Sequence, residues 1–169
     1  MIRKKFSVSS FTSDCIRYKV THFQYIGELC RYLVSFPSND QDRLLSLQCA
    51  YGNGLRPELW LKFKDRYHIH QIVEFYGATE ANIFTFNPVG KVGAIGYIPR
   101  LFDIIYPAFL IRPGVEDTSI PYRDSRYDNH CVSVGIDEAG LLICQIQDYG
   151  ERSFDGYTDR KATESKILR

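Results

Sequence analysis

Two hydrophobic periods alternate over the first half of the chain. Phe11, Cys15 and Tyr18 stand at i, i+4 and i+7 behind Ser9-Ser10, which predicts a helix over about 10–18 with a serine start. His22-Phe23-Gln24-Tyr25-Ile26 then alternates polar and apolar as a strand does, and Gly27 breaks it. Leu29, Leu33 and Phe36 resume a helical stripe that Pro37 stops. Past the polar stretch 38–42, the run 45–51 reads as a second strand ending at Gly52-Asn53-Gly54. Pro57 fits the first turn of a helix whose buried stripe is Trp60, Phe63 and Tyr67. The segment 71–76 is the third strand, and it runs into Gly77-Ala78-Thr79-Glu80.

The three strands end alike, at Tyr25/Gly27, Tyr51/Gly52 and Tyr76/Gly77, with the tyrosines 26 and 25 residues apart. One helix plus one strand fills such a period. Strands joined in this way are expected to be parallel, with right-handed crossovers and ligands beyond their carboxyl ends. All three glycine turns then share one rim. These glycines either leave room for a phosphate or a flat base, or simply turn the chain, and spacing leaves both readings open.

From residue 91 the helices give way to short strands, at 91–97, 104–112, 131–134 and 140–146, separated by turns such as Pro113-Gly114. This predicts an antiparallel β module, with one last helix at about 160–168. The fold class is therefore α/β, a parallel-sheet region over 1–90 followed by a β-rich region over 91–169.

Composition narrows the partners. With 21 Lys+Arg against 20 Asp+Glu the net charge is +1, which disfavours a nucleic-acid footprint, and 14% aromatic residues disfavour disorder. Five cysteines without a CxxC pair read as reduced and intracellular. The longest apolar run, 102–111, is broken by Asp103 and Pro107 and falls short of the roughly 20 residues of a membrane span; no signal peptide is visible. His68-x-His70 lacks a third ligand at metal-site spacing and reads as surface or packing, and Arg3-Lys4-Lys5 as a solvated end. Gly90-x-x-Gly93-x-x-Gly96 is followed by strand-like residues, unlike the dinucleotide fingerprint, and no Gly-x-Ser-x-Gly elbow exists.

The stretches Tyr25-Ile26-Gly27-Glu28-Leu29-Cys30-Arg31-Tyr32-Leu33, Gly52-Asn53-Gly54-Leu55-Arg56 and Phe75-Tyr76-Gly77-Ala78-Thr79-Glu80 resemble the fatty acid transport protein and very-long-chain acyl-CoA synthetase family of adenylate-forming, AMP-binding enzymes. Lys91-Val92-Gly93-Ala94-Ile95-Gly96 and Phe154-Asp155-Gly156-Tyr157 fit its later segments, so the likeness covers nearly the whole chain. The resemblance implies a two-step ligase. A long-chain or very-long-chain fatty acid carboxylate attacks the α-phosphate of ATP, and the thiol of coenzyme A then opens the acyl-adenylate. It implies that Glu80 holds Mg2+, that Thr79 donates to the α-phosphate, and that Tyr76 walls the adenine alongside Gly77 and Ala78. Gly52, Asn53 and Gly54 match the loop against the base, although the wider superfamily often has a Gly-Gly-Ala-Pro-like stretch there, and Ala81 stands where glycine is common. Tyr25, Ile26 and Gly27 are placed near the acyl tunnel mouth, with plain sheet packing as the other reading of Tyr25 and Ile26.

The family's phosphate loop with its lysine, its ribose-binding aspartate and its C-terminal domain find no match in these residues. The expectation is thus a segment of one larger AMP-binding domain, inactive in isolation. The alternative is a non-catalytic short form that binds lipid or a partner, with an exposed sheet face that favours a homo-oligomer. Membrane association, at the endoplasmic reticulum or plasma membrane, is implied by resemblance alone.

Overall fold

The period-2 stretches near residues 22, 49 and 71 form strands β1 (His22–Ile26), β2 (Cys49–Asn53) and β3 (Gln71–Gly77). They are preceded and linked by helices α1 (Val8–Arg17), α2 (Gly27–Ser35) and α3 (Pro57–Arg66). The computed structural model describes residues 2–77, 82–99, 107–147, 154 and 156–168. Its contacts separate into two units, Met1–Tyr76 with Phe84–Tyr97, and Gly77–Ile83 with Ile98–Arg169.

In the first unit the sheet order is β1-β2-β3-β4, where β4 is Phe84–Phe86, and both β1–β2 and β2–β3 are parallel. The register stacks Phe23, Ala50 and Ile72 in one row and Tyr25, Gly52 and Glu74 in the next. These rows face the helices. Phe11 of α1 meets Phe23 edge-on at 4.9 Å, and Phe63 of α3 meets Tyr25 at 6.0 Å, so the apolar stripes read from the sequence close one core on one side of the sheet. Trp60, Phe63 and Tyr67 are its largest fully buried members. The opposite face stays open, with Tyr51, Phe84 and Phe86 exposed and Phe75 stacked on Phe84.

Three expectations shift. The second strand starts at Cys49, where its ladder with His22 begins, not at residue 45, and Asp40–Leu44 before it winds into a 3-10 helix capped by Asn39. Leu45 and Leu47 are buried there without joining the strand, so their alternation reports packing. The polar stretch also holds a buried ion pair: Asp42 accepts from Thr12 Oγ1 at 2.7 Å and from Arg66 Nε at 3.0 Å. Arg66 reaches on to the carbonyls of Leu33, Val34, Phe36 and Pro37 at the end of α2, satisfying acceptors that the helix leaves unpaired. Third, 91–97 is a turn, not a strand. Buried Asn87 donates to the carbonyls of Lys91 and Ala94 and accepts from the Lys91 N–H, while Gly90 and Gly93 take left-handed conformations that a ladder excludes.

The second unit contains two antiparallel pairs, β5 (Ala108–Ile111) with β8 (Leu141–Cys144) and β6 (Arg123–Asp124) with β7 (His130–Cys131). The strand expected at 104–112 is seen from Ala108, residues 104–106 lying outside the described residues. The one at 131–134 shrinks to His130–Cys131 plus a bridge at Ser133, after left-handed Asp128 and Asn129. Helix α4 is Arg160–Glu164, started by Asp159, whose carboxylate accepts from the Lys161 and Ala162 amides. No described helix is long and apolar enough to cross a membrane.

Candidate functional site

Parallel strands put their carboxyl ends on one edge, and the glycine turns collect there. β1 passes directly into α2, so Ile26 is the last strand residue and Gly27 the first helical one. Ile26 pairs with Asn53 in the ladder, which brings the turn after β1 against the turn after β2.

The glycines do different physical work. At Gly27 a β-carbon would lie 1.8 Å from the Gly54 carbonyl oxygen and 2.7 Å from the Leu55 nitrogen, so the residue is a space requirement between two backbones. At Gly52 a β-carbon would strike the Tyr25 carbonyl at 2.2 Å and its ring at 2.6 Å. Gly54 has open surroundings but φ +78, which side-chain-bearing residues adopt at a cost. Gly27 and Gly52 thus fit neither sequence reading alone: they let chain pack on chain.

Beneath the rim lies Glu74, fully buried, on the inward side of β3 two residues from Ile72. Its Oε1 accepts from the Tyr25 hydroxyl at 2.7 Å and from the Leu55 N–H at 3.0 Å, and its Oε2 accepts from the Gly54 N–H at 3.0 Å. Burial first, and then the bond to Glu74, push the Tyr25 phenol above its ordinary range. Burial, with the Glu74 charge adding to it, does the same to the Cys30 thiol. Sequence reading passed over Glu74. The signal was there, since period 2 sets it on the face of Ile72, where an acidic residue has to find donors.

Of the residues expected at the acyl tunnel mouth, Tyr25 is buried with its hydroxyl committed to Glu74, Gly27 is buried against Gly54, and Ile26 is 64% exposed. Of those expected at the nucleotide, Gly52 is buried, Gly54 is exposed, and Asn53 is half-buried with its carboxamide free of hydrogen bonds among the described residues. Tyr76 and Gly77 are half-buried at the end of β3. Ala78, Thr79 and Glu80 lie outside the described residues, and so does the carboxylate expected to hold magnesium. Among the described residues no group of three or more His, Cys, Asp and Glu side chains is placed to hold a metal. His68 takes a left-handed turn after α3, and His70 joins the core strands through its amide on the Leu47 carbonyl.

Chemically, the rim offers a loop whose Gly54 and Leu55 amides are already used and whose Asn53 carboxamide is unpaired among the described residues, and Tyr76 on the neighbouring strand. That arrangement suits a flat polar ligand laid on a backbone shelf more than an anion cradled by loop amides.

Long-chain fatty acid transport protein 1 of Mus musculus is 45% identical over 168 residues, covering 99% of this chain and 26% of that protein. The chain therefore spans about a quarter of the length of such curated relatives. Among solved structures, ATP-bound MatB from Rhodopseudomonas palustris superposes with a TM-score of 0.65 at 18% identity, over 99% of this chain and 29% of that one. A benzoate CoA ligase from Burkholderia xenovorans LB400 gives 0.64 at 16% identity, over 98% and 30%. Identities this low speak for the fold alone, an α/β architecture with a parallel sheet shared with those two proteins. The model of the AMP-binding enzyme family matches residues 2–104, well over half of the sequence, and the chain belongs to that family.

Proposed function

We propose that this chain carries the nucleotide-facing rim of an ATP-dependent ligase that joins long-chain or very-long-chain fatty acids to coenzyme A through an acyl-adenylate. The observation that carries the reading is adjacency. β2 and β3 are register partners up to Gly52 and Glu74, so the two stretches that resemble the family's nucleotide segments leave the sheet side by side at its carboxyl edge. Family membership supports ATP use, and the relatives' name, long-chain fatty acid transport protein, supports the acyl substrate and a membrane-associated setting.

In this reading the loop Gly52, Asn53 and Gly54 lies against the adenine, Asn53 supplies the polar contact, and Tyr76 with Gly77 and Ala78 forms the wall. Thr79 donates its hydroxyl to the α-phosphate. Glu80 is the carboxylate that would hold Mg2+, an ion that shields phosphate charge when bound. Ile26 is the member of the Tyr25-Ile26-Gly27 trio free to touch an alkyl chain.

The test is fatty-acid-dependent exchange of pyrophosphate into ATP by the full-length protein containing this segment. Glu80→Gln is expected to cut the rate by about 100-fold or more. A loss below about tenfold overturns the assignment of Glu80.

A second reading is favoured by the open sheet face with Ile26, Tyr51, Phe84 and Phe86 exposed: a short, non-catalytic form that binds lipid or self-associates. A monomer in sedimentation that takes up no fatty acid would count against it.

A further inference from the structure

Of the buried charged groups that the proposed chemistry leaves unused, Glu74 lies nearest the rim loop. Glu74 meets three donors from two different segments, the Tyr25 hydroxyl of β1 and the Gly54 and Leu55 amides beyond β2, and it is fully excluded from solvent. Among the described residues, every hydrogen bond donated by the Gly54 and Leu55 backbone ends on this carboxylate. Helix α3 follows at once, and its first residue, Pro57, has no amide to share, while Arg56 before it gives no side-chain cap. The other restraint on the turn is steric, since the Gly54 carbonyl packs against Gly27, where a β-carbon would lie 1.8 Å from its oxygen.

We propose that Glu74 is a positioning residue: from inside the core it fixes the Gly52–Leu55 loop against the first turn of α2 and so sets how tightly the rim holds ATP. This rests on the nucleotide reading of the rim. The carboxylate never touches the ligand. It consumes two amides that would otherwise compete for phosphate or water, and leaves the Asn53 carboxamide as a polar side chain of the loop unpaired among the described residues. A buried carboxylate held by three donors is costly to disturb, and a loop displaced by about 1 Å loses its complementarity to a rigid base.

The experiment compares the full-length protein with Glu74→Gln, Tyr25→Phe and Ile72→Val, reading the ATP dissociation constant by titration and backbone amide exchange over residues 52–56. Glutamine keeps the shape but turns an NH2 toward one set of donors. It is expected to weaken ATP by about tenfold or more and to speed exchange at Gly54 and Leu55. Ile72→Val loosens the same face of β3 without touching the loop, and is expected to keep the wild-type constant. Tyr25→Phe leaves both amide bonds in place and is expected to cost under about threefold with exchange at Gly54 and Leu55 unchanged; should Glu74→Gln fail to fold, Glu74→Asp, whose shorter arm cannot reach both amides, takes its place with the same expected loss and the same overturning result. An unchanged ATP constant in Glu74→Gln, or an equal loss in Ile72→Val, overturns the proposal. If the wild-type protein binds no ATP, the nucleotide reading falls, and the exchange data alone decide whether Glu74 clamps the loop.

Discussion

Replacing Gly27 with alanine is the sharpest test of how the rim is built. The new methyl would sit 1.8 Å from the Gly54 carbonyl oxygen, where ordinary contact begins at about 3.4 Å, and 2.1 Å from the carbonyl carbon. The three nearest atoms are all backbone, so no side-chain rotation relieves the clash. Relief needs about 1.6 Å of movement between α2 and the loop. Moved that far, the Gly54 and Leu55 amides, both 3.0 Å from Glu74, leave hydrogen-bond range. Two buried bonds to a carboxylate at about 1–3 kcal/mol each give a loss of about 2–6 kcal/mol. Alanine returns at most about 1 kcal/mol in helix propensity. The net is about 3 kcal/mol, a large share of the 5–15 kcal/mol that holds a typical domain. Urea denaturation of the full-length protein, followed by the Trp60 fluorescence of the α3 core, should show a midpoint lowered by roughly 1–2 M. Gly54→Ala is the comparison: its strain is conformational, about 1–2 kcal/mol, with nothing within 3.4 Å to collide with. A Gly27→Ala midpoint within about 0.3 M of wild type, or a larger loss for Gly54→Ala, would refute the close-packing argument.

Two further predictions concern the core. Arg66→Ala strands Asp42 in the interior and uncaps α2, so a loss of about 3–5 kcal/mol in thermal denaturation is expected, and Arg66→Lys should restore less than half of it because a point charge cannot span both sets of acceptors. Burial pushes the Tyr67 phenol from 10.0 up to about 12, and burial followed by the Asp14 charge pushes the Cys15 thiol from 9.0 to about 11. In both cases the fold favours the protonated form. Their contribution is intact below pH 9 and is lost as the pH climbs toward 12, so the urea midpoint should hold steady from pH 7 to 9 and fall beyond it. Tyr67→Phe should flatten that fall, and an unchanged slope would show that Tyr67 titrates as freely as in an unfolded chain.

Much of this was legible before any coordinates. Helices and strands follow from periodicity because a side chain's face is set by its position along a regular backbone, so Trp60, Phe63 and Tyr67 announce α3, and the tyrosine-glycine spacing announces parallel strands. Local sequence failed where one distant group overrode it. Leu45 and Leu47 alternate like a strand, yet the neighbouring turn coils because Asp42 answers to Thr12 and Arg66, 30 and 24 residues away. The residues at 91–97 read as extended, and Asn87 folds them into a turn. β4 escaped notice because three residues are too few to show a period.

The candidate site divides in the same way. That the glycine turns gather on the carboxyl edge was legible from the spacing of the strands. That Gly27 and Gly52 are gaps for a neighbouring backbone and ring, and that Glu74 ties β1 to the loop after β2, appeared only in three dimensions. Sequence determines which face a residue occupies, because that depends on the few covalent bonds around it. What meets the residue on that face depends on chain 20 to 50 positions away, as Glu74 with Gly54 and Tyr25 demonstrates, and only tertiary packing decides it.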